Sequence, residues 1–232
     1  MDANAIAYLA SVWVLPVLLA VTLHEVAHGL VADRLGDDTA RRAGRVTLNP
    51  IKHIDLVGTI LLPGLLLALG APFLFGFAKP VPVNFSRLRR PRRDGILVAL
   101  AGPAANIVLA CLGMLLLNLV RGPSDSLGLW LYDNAVNLIL INVWLAAFNL
   151  LPVPPLDGGR VLLGLLPAPF AALVASRERQ IALLLLALIL LLPLLLSRLG
   201  INFNPIHWIL GPVVRGFLTV IETLFLFVGA AA

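Results

Sequence analysis

The sequence predicts an all-α polytopic membrane protein. It would have five spanning helices, a re-entrant or sixth hydrophobic segment over 54–77, and short membrane-associated β-strands. Three observations carry this expectation. Of the 232 residues, 60% are hydrophobic and only 12% are charged, and the mean hydropathy is +0.99, far from the balance of soluble domains. Apolar runs at 4–33, 94–120, 131–151, 178–198 and 205–230 each approach or exceed the ~20 residues that cross a bilayer. Lys and Arg gather in the connections on one side of those runs.

Taken in order, the run 4–33 lacks a basic region ahead of it and contains histidines, so it reads as a retained span rather than a cleaved leader. Residues 34–53 carry Arg34, Arg41, Arg42, Arg45 and Lys52, 79–93 carry Lys79 and five arginines, and 160–179 carry Arg160, Arg177 and Arg179. Only Arg121 and Arg198 fall in the opposite connections, and Arg215 lies inside the last run. The crowded side is therefore predicted cytoplasmic, with the N-terminus outside and the C-terminus inside. The same distribution accounts for the net charge of +5 without a nucleic-acid partner. Cys111 is the single cysteine, so no intrachain disulfide forms. No repeat or soluble insert interrupts the chain, which reads as one domain over 1–232: a core at about 4–162 and C-terminal helices at about 178–230.

The stretch 54–77 is broken by Pro63, Gly64, Gly70, Pro72 and Gly76, and both its flanks are basic. A single crossing cannot return to the same side, so a re-entrant hairpin is favoured over a true span, its broken backbone buried against protein or water. Residues 44–50 alternate Val46 and Leu48 with Thr47 and Asn49, as a strand does. Residues 78–85 hold Pro80 and Pro82, whose missing N–H groups confine such a strand to a sheet edge.

The polar residues that stand out are His24, Glu25 and His28, in HEVAH within the first apolar run. On a helix, positions four apart share a face. H-E-x-x-H is the arrangement in which both imidazoles bind zinc and the glutamate activates water. Ionisable groups inside a span are costly and ask for such a reason. Catalytic zinc takes three protein ligands as a rule. The third could come from His53, from His207 or, preferably, from Asp157 in NLLPVPPLDGGR (149–160), where Pro152, Pro154 and Pro155 interrupt any helix. Asp157 is equally readable as a simple helix cap at the membrane surface.

HEVAHGL together with N-x-x-P-x-x-x-L-D-G resembles the site-2 protease family of intramembrane zinc metalloproteases. TLNPIKHIDLVGTILLP (47–63) and residues 76–110 fit the resemblance too, which covers 22 to about 162. It implies that His24, His28 and Asp157 bind one Zn2+ per chain and that Glu25 is the catalytic base. Asn149 would hold the substrate backbone or stabilise the oxyanion, and an extended strand at 45–49 or 79–83 would align the cleaved segment. The substrate would be a membrane protein with a transmembrane segment, cut in or near that helix. The protein would be a multi-pass component of a prokaryotic inner membrane, with its site toward the cytoplasm. With about ten polar residues between 94–120 and 131–151, the likeness is to the minimal core group without PDZ or CBS modules. From another class, a metal-ion or proton transporter could use the same cluster as a passing-ion site.

Weaker expectations concern four places. Asn106 shares a helix face with Gly102, for a packing hydrogen bond or a site role. His53 reads as an interfacial residue of the hairpin. Arg215 and Glu222, two turns apart, would pair inside the last span, and His207 beside Trp208 would anchor at an interface.

Overall fold

The computed structural model describes residues 2–71, 75–120, 122–201 and 203–230. Pro72 and Arg121, which figure in the expectations above, lie outside the described residues. Among the described residues, five helices are long and apolar enough to cross a bilayer: α1 (Ala3–Arg34), α4 (Pro91–Leu119), α5 (Ser126–Asn149), α8 (Glu178–Arg198) and α9 (Pro205–Ala230). Shorter helices join them: α2 (Thr39–Arg42), α3 (Leu62–Ala68), α6 (Asp157–Leu165) and α7 (Ala168–Ser176). Every predicted span is present, with ends moved by five residues or fewer.

α4 is the hub, packed on α1, α5 and α6. Small residues make the close approaches possible, as is usual between helices in lipid. A Cβ on Gly113 would meet Ile139 of α5 at 2.9 Å. The core on that side joins Ala110 and Met114 to Ile139, Val143 and Ala147, and to Leu210, Val214 and Ile221 of α9. Buried asparagines then tie helices together through the backbone. Pro16 lies inside α1 and has no N–H, so the carbonyl of Val12, four residues earlier, loses its helical partner. Asn137 of α5 supplies one, donating to that carbonyl at 2.8 Å.

The described parts of the segment 54–77, residues 54–71 and 75–77, are two limbs that meet. A π-helical turn at Leu56–Leu61 runs into α3, and the chain then comes back on itself. The Phe77 N–H donates to the Gly58 carbonyl at 3.1 Å, and the Lys79 N–H to the His53 carbonyl at 3.0 Å. The helical limb Leu56–Ala68 is roughly 20 Å long, short of a ~30 Å hydrocarbon core. The two hydrogen bonds bring both ends of the segment together.

The expected strands are corrected: among the described residues there is none, neither at 44–50 nor at 78–85. The reason is where the backbone hydrogen bonds go. In 78–85, Pro80 and Pro82 have no N–H, and side chains claim much of what remains. Glu25 takes the Val81 N–H at 2.7 Å, Asp37 takes that of Asn84 at 2.6 Å, and Arg45 donates to the Lys79 carbonyl at 2.7 Å. The segment is extended, but it is held by side chains instead of a ladder. The pairing expected of Arg215 and Glu222 is also corrected. Both are exposed on α9 and form no ion pair with each other, being about 10 Å apart along the helix axis. His207 stacks on Trp144, with ring centroids 5.2 Å apart.

Asp37 anchors the corner that carries the extended segment. Burial pushes its carboxyl up, but hydrogen bonds from Thr39 and Asn84 outweigh that and hold it below its usual range. Asp37→Ala should therefore destabilise this corner by about 1–3 kcal/mol, seen as faster exchange of the Asn84 amide. Acid should act the same way. A lowered carboxyl contributes stability above its unfolded value of 3.8 and loses it as pH falls through the lower folded value.

Candidate metal centre

His24 and His28 are buried on one face of α1. Each ring is fixed by its Nδ1. His28 Nδ1 lies 2.7 Å from the Val98 carbonyl, and His24 Nδ1 lies 2.7 Å from Asn106 Oδ1. A carbonyl oxygen only accepts, so His28 carries its proton on Nδ1. The orientation of Asn106 follows from its own partners. Its Nδ2 donates to the Ala20 carbonyl and to Asn142 Oδ1, while Asn142 Nδ2 donates to the Leu138 carbonyl. Asn106 Oδ1 is thus the acceptor facing His24, and His24 is protonated on Nδ1 as well.

In the neutral rings both Nε2 atoms are then lone pairs, and they face each other at 3.1 Å. Asp157 Oδ2 comes to 3.3 Å from His24 Nε2 and 3.4 Å from His28 Nε2, yet it is buried and receives no hydrogen bond. Three acceptors pointed at one another repel unless something positive lies between them. Zinc bonds of about 2.0–2.2 Å at tetrahedral angles would set neighbouring donor atoms roughly 3.3–3.6 Å apart. The donor types and their separations therefore fit one zinc ion, and the three residues could hold it.

Asp157 arrives by a tightly packed turn. It opens α6 immediately after the proline-rich stretch. A Cβ on Gly158 would lie 2.3 Å from the Leu150 carbonyl oxygen, and one on Gly159 would lie 2.3 Å from the Pro154 nitrogen. Only glycine lets residues 150–159 fold this closely, which brings the carboxylate to α1.

Gly102 of α4 is the other side of the site. A Cβ there would sit 2.4 Å from His28 Nε2 and 2.7 Å from His24 Nε2, in the space the donors share. Glu25, on α1 with the histidines, accepts the Val81 N–H, so the extended segment crosses beside it. Val81 and Val46 also meet at Gly29, one turn along. Asn149 is not drawn into the cluster. Its amide donates back to the Leu145 carbonyl at 3.0 Å, and it makes no hydrogen bond to the histidines or to Asp157. His53 stands apart on the Thr47 carbonyl, and His207 on Trp144.

Two features had little or no signal in the sequence. Asn142, fully buried, completes the relay behind His24 without belonging to any motif. The Gly102 and Asn106 pair was visible as a shared face, and the structure gives each its role: room for the donors and orientation of His24.

Comparison with known proteins is consistent with this centre. The model of peptidase family M50 matches residues 124–193. Two bacterial relatives bear the name "Putative zinc metalloprotease". YwhC of Bacillus subtilis is 42% identical over 172 residues, which cover 71% of this chain and 74% of YwhC. Rip2 of Mycobacterium tuberculosis (strain H37Rv) is 34% identical over 192 residues, 83% of this chain and 70% of Rip2. An archaeal relative of the same designation, MJ0611 of Methanocaldococcus jannaschii, is 34% identical over 139 residues, 60% of this chain and 62% of its own. No solved structure matches.

Two substitutions read out the second layer of this centre. Gly102→Ala should abolish zinc binding, measured as metal per purified chain, because its methyl fills the donors' common space. Asn106→Ala should weaken zinc by about 10–100-fold in a competition titration with a chelator, leaving all three donors in place.

Proposed function

The chain belongs to peptidase family M50, and from that premise we propose that it cuts a peptide bond in or beside a transmembrane segment of a membrane-protein substrate. It is an integral membrane zinc metalloendopeptidase. Membership of a peptidase family sets the transporter reading aside. The observation that carries the proposal is the meeting of two imidazoles of a membrane-spanning helix with the Asp157 carboxylate of α6, with Glu25 next to His24 in sequence.

Zinc, when bound, supplies a Lewis acid that polarises the scissile carbonyl and makes water a nucleophile near neutral pH. The chain's own residues do the rest. His24, His28 and Asp157 hold the ion. Asn106 and the Val98 carbonyl keep both rings in the tautomer that presents Nε2. Glu25 accepts a proton from the attacking water and returns it to the departing amine. In the structure that carboxylate holds the Val81 N–H, so the substrate chain would be laid along 79–83 rather than 45–49. A helical substrate keeps its carbonyls in hydrogen bonds and must unwind locally first. Asn149, at the end of α5, would exchange its bond to Leu145 for the substrate backbone or the oxyanion.

The charge distribution supports placing the centre toward the cytoplasmic side of a prokaryotic inner membrane. The arginine-rich connections 34–53 and 79–93 flank the helix end that bears the histidines.

Glu25→Gln should retain zinc and fold while proteolysis of a reconstituted membrane substrate falls at least about a hundredfold. Cleavage at the parental rate would refute the assignment of the base. Asn149→Ala should leave zinc content unchanged and lower kcat by roughly tenfold or more.

A further inference from the structure

Between α1 and the hairpin lies a cavity of about 280 Å³, walled by Leu18, Val21 and Thr22 of α1 and by His53, Phe75 and Ala78. This is just below the range of small-molecule pockets; it would hold one large side chain and not a helix. Its position is set by α1. Leu18, Thr22 and Glu25 follow at four- and three-residue spacing and so share a face, which puts the cavity one turn from the Glu25 carboxylate. Ala78, on the opposite wall, is three residues before Val81, the residue Glu25 holds.

The walls are apolar with three exceptions, His53, Thr22 and Thr59. His53 is 2% exposed, and its Nε2 lies 2.9 Å from the Thr47 carbonyl. That carbonyl can only accept, so the proton is on Nε2 and Nδ1 is a lone pair. Nδ1 is buried and has no partner among the described residues, although buried polar groups are nearly always paired. Thr22, also buried, makes no hydrogen bond with its hydroxyl. The hydroxyl of Thr59, by contrast, is satisfied, accepting from the Asp55 N–H and donating to the Phe77 carbonyl.

An oily cavity with an unpartnered acceptor just beneath its wall, on the lining residue His53, and one spare hydroxyl calls for an apolar body tipped by a group that both donates and accepts. Resting on the peptidase reading above, we propose that this cavity is a specificity subsite that takes a tyrosine side chain of the substrate. Its ring lies against Leu18, Val21 and Phe75, and its hydroxyl donates to His53 Nδ1. Serine and threonine have the hydroxyl but leave the walls unfilled, and tryptophan donates without accepting. One helical turn is about 5.4 Å and an extended chain advances about 3.3 Å per residue. The tyrosine therefore sits within about two residues of the cleaved bond.

The test uses the zinc-loaded full chain in liposomes. The probes are Leu/Ala transmembrane peptides with a central Asn-Gly break and a single tyrosine moved residue by residue, and the same series with phenylalanine. Cleavage should track the tyrosine at a fixed spacing of two bonds or fewer, with kcat/KM about tenfold or more above the phenylalanine series. In His53→Leu the two series should converge while the phenylalanine peptides are still cut. Thr22→Val, which retains His53, should narrow the difference without removing it, and serves where His53→Leu does not fold. Equal rates for the two series in the parental protein, or a preference unchanged in His53→Leu with zinc retained, overturn the subsite alone. Failure to cut any peptide overturns the peptidase reading itself.

Discussion

Everything at the centre depends on three lone pairs being held against one another. His24 Nε2, His28 Nε2 and Asp157 Oδ2 stand 3.1–3.4 Å apart, with both opposite ring nitrogens committed as donors. That arrangement is unfavourable on its own and becomes favourable around a divalent ion, so binding and local folding are coupled. The rest of the molecule supplies the constraint. The Val98 carbonyl and Asn106 fix the rings, Gly102 keeps the space between the donors clear, and the glycine turn at 158–159 brings the carboxylate in. Each of these is a backbone or amide feature of α4 or α6, which explains why α4 is the hub of the fold.

The same physics explains how a membrane helix tolerates so many polar residues. The asparagines of α4 and α5 are not scattered. Asn137 compensates a carbonyl that Pro16 frees on α1, and Asn142 and Asn106 form a relay that ends at the His24 ring. Inside a bilayer an amide left unpaired would be expensive, and here every side-chain amide of that relay ends on a backbone carbonyl or the next amide.

The spans and the three donors were legible in the sequence for simple reasons. Long apolar runs have few alternatives in lipid, and H-E-x-x-H has a helical meaning whatever surrounds it. Asp157 needed more: its alternative as a plain helix cap could be dismissed only by seeing it beside α1. What was illegible was whatever depended on partners distant in sequence. Residues 78–85 carry a strand-like pattern, but pattern cannot reveal that Glu25, Asp37 and Arg45 would take their backbone groups. Arg215 and Glu222 have the spacing of one helix face, but not the reach to pair. The role of Asn106 was half visible, since its shared face with Gly102 is a local property whereas its contact with His24 is not.

The central claim concerns which atoms surround the metal, and zinc-edge X-ray absorption of the purified protein addresses it directly. The account predicts two imidazole nitrogens at about 2.0–2.1 Å and carboxylate or water oxygen at about 2.0–2.2 Å, with no sulfur. A sulfur shell near 2.3 Å, an all-oxygen shell, or a single imidazole would contradict it.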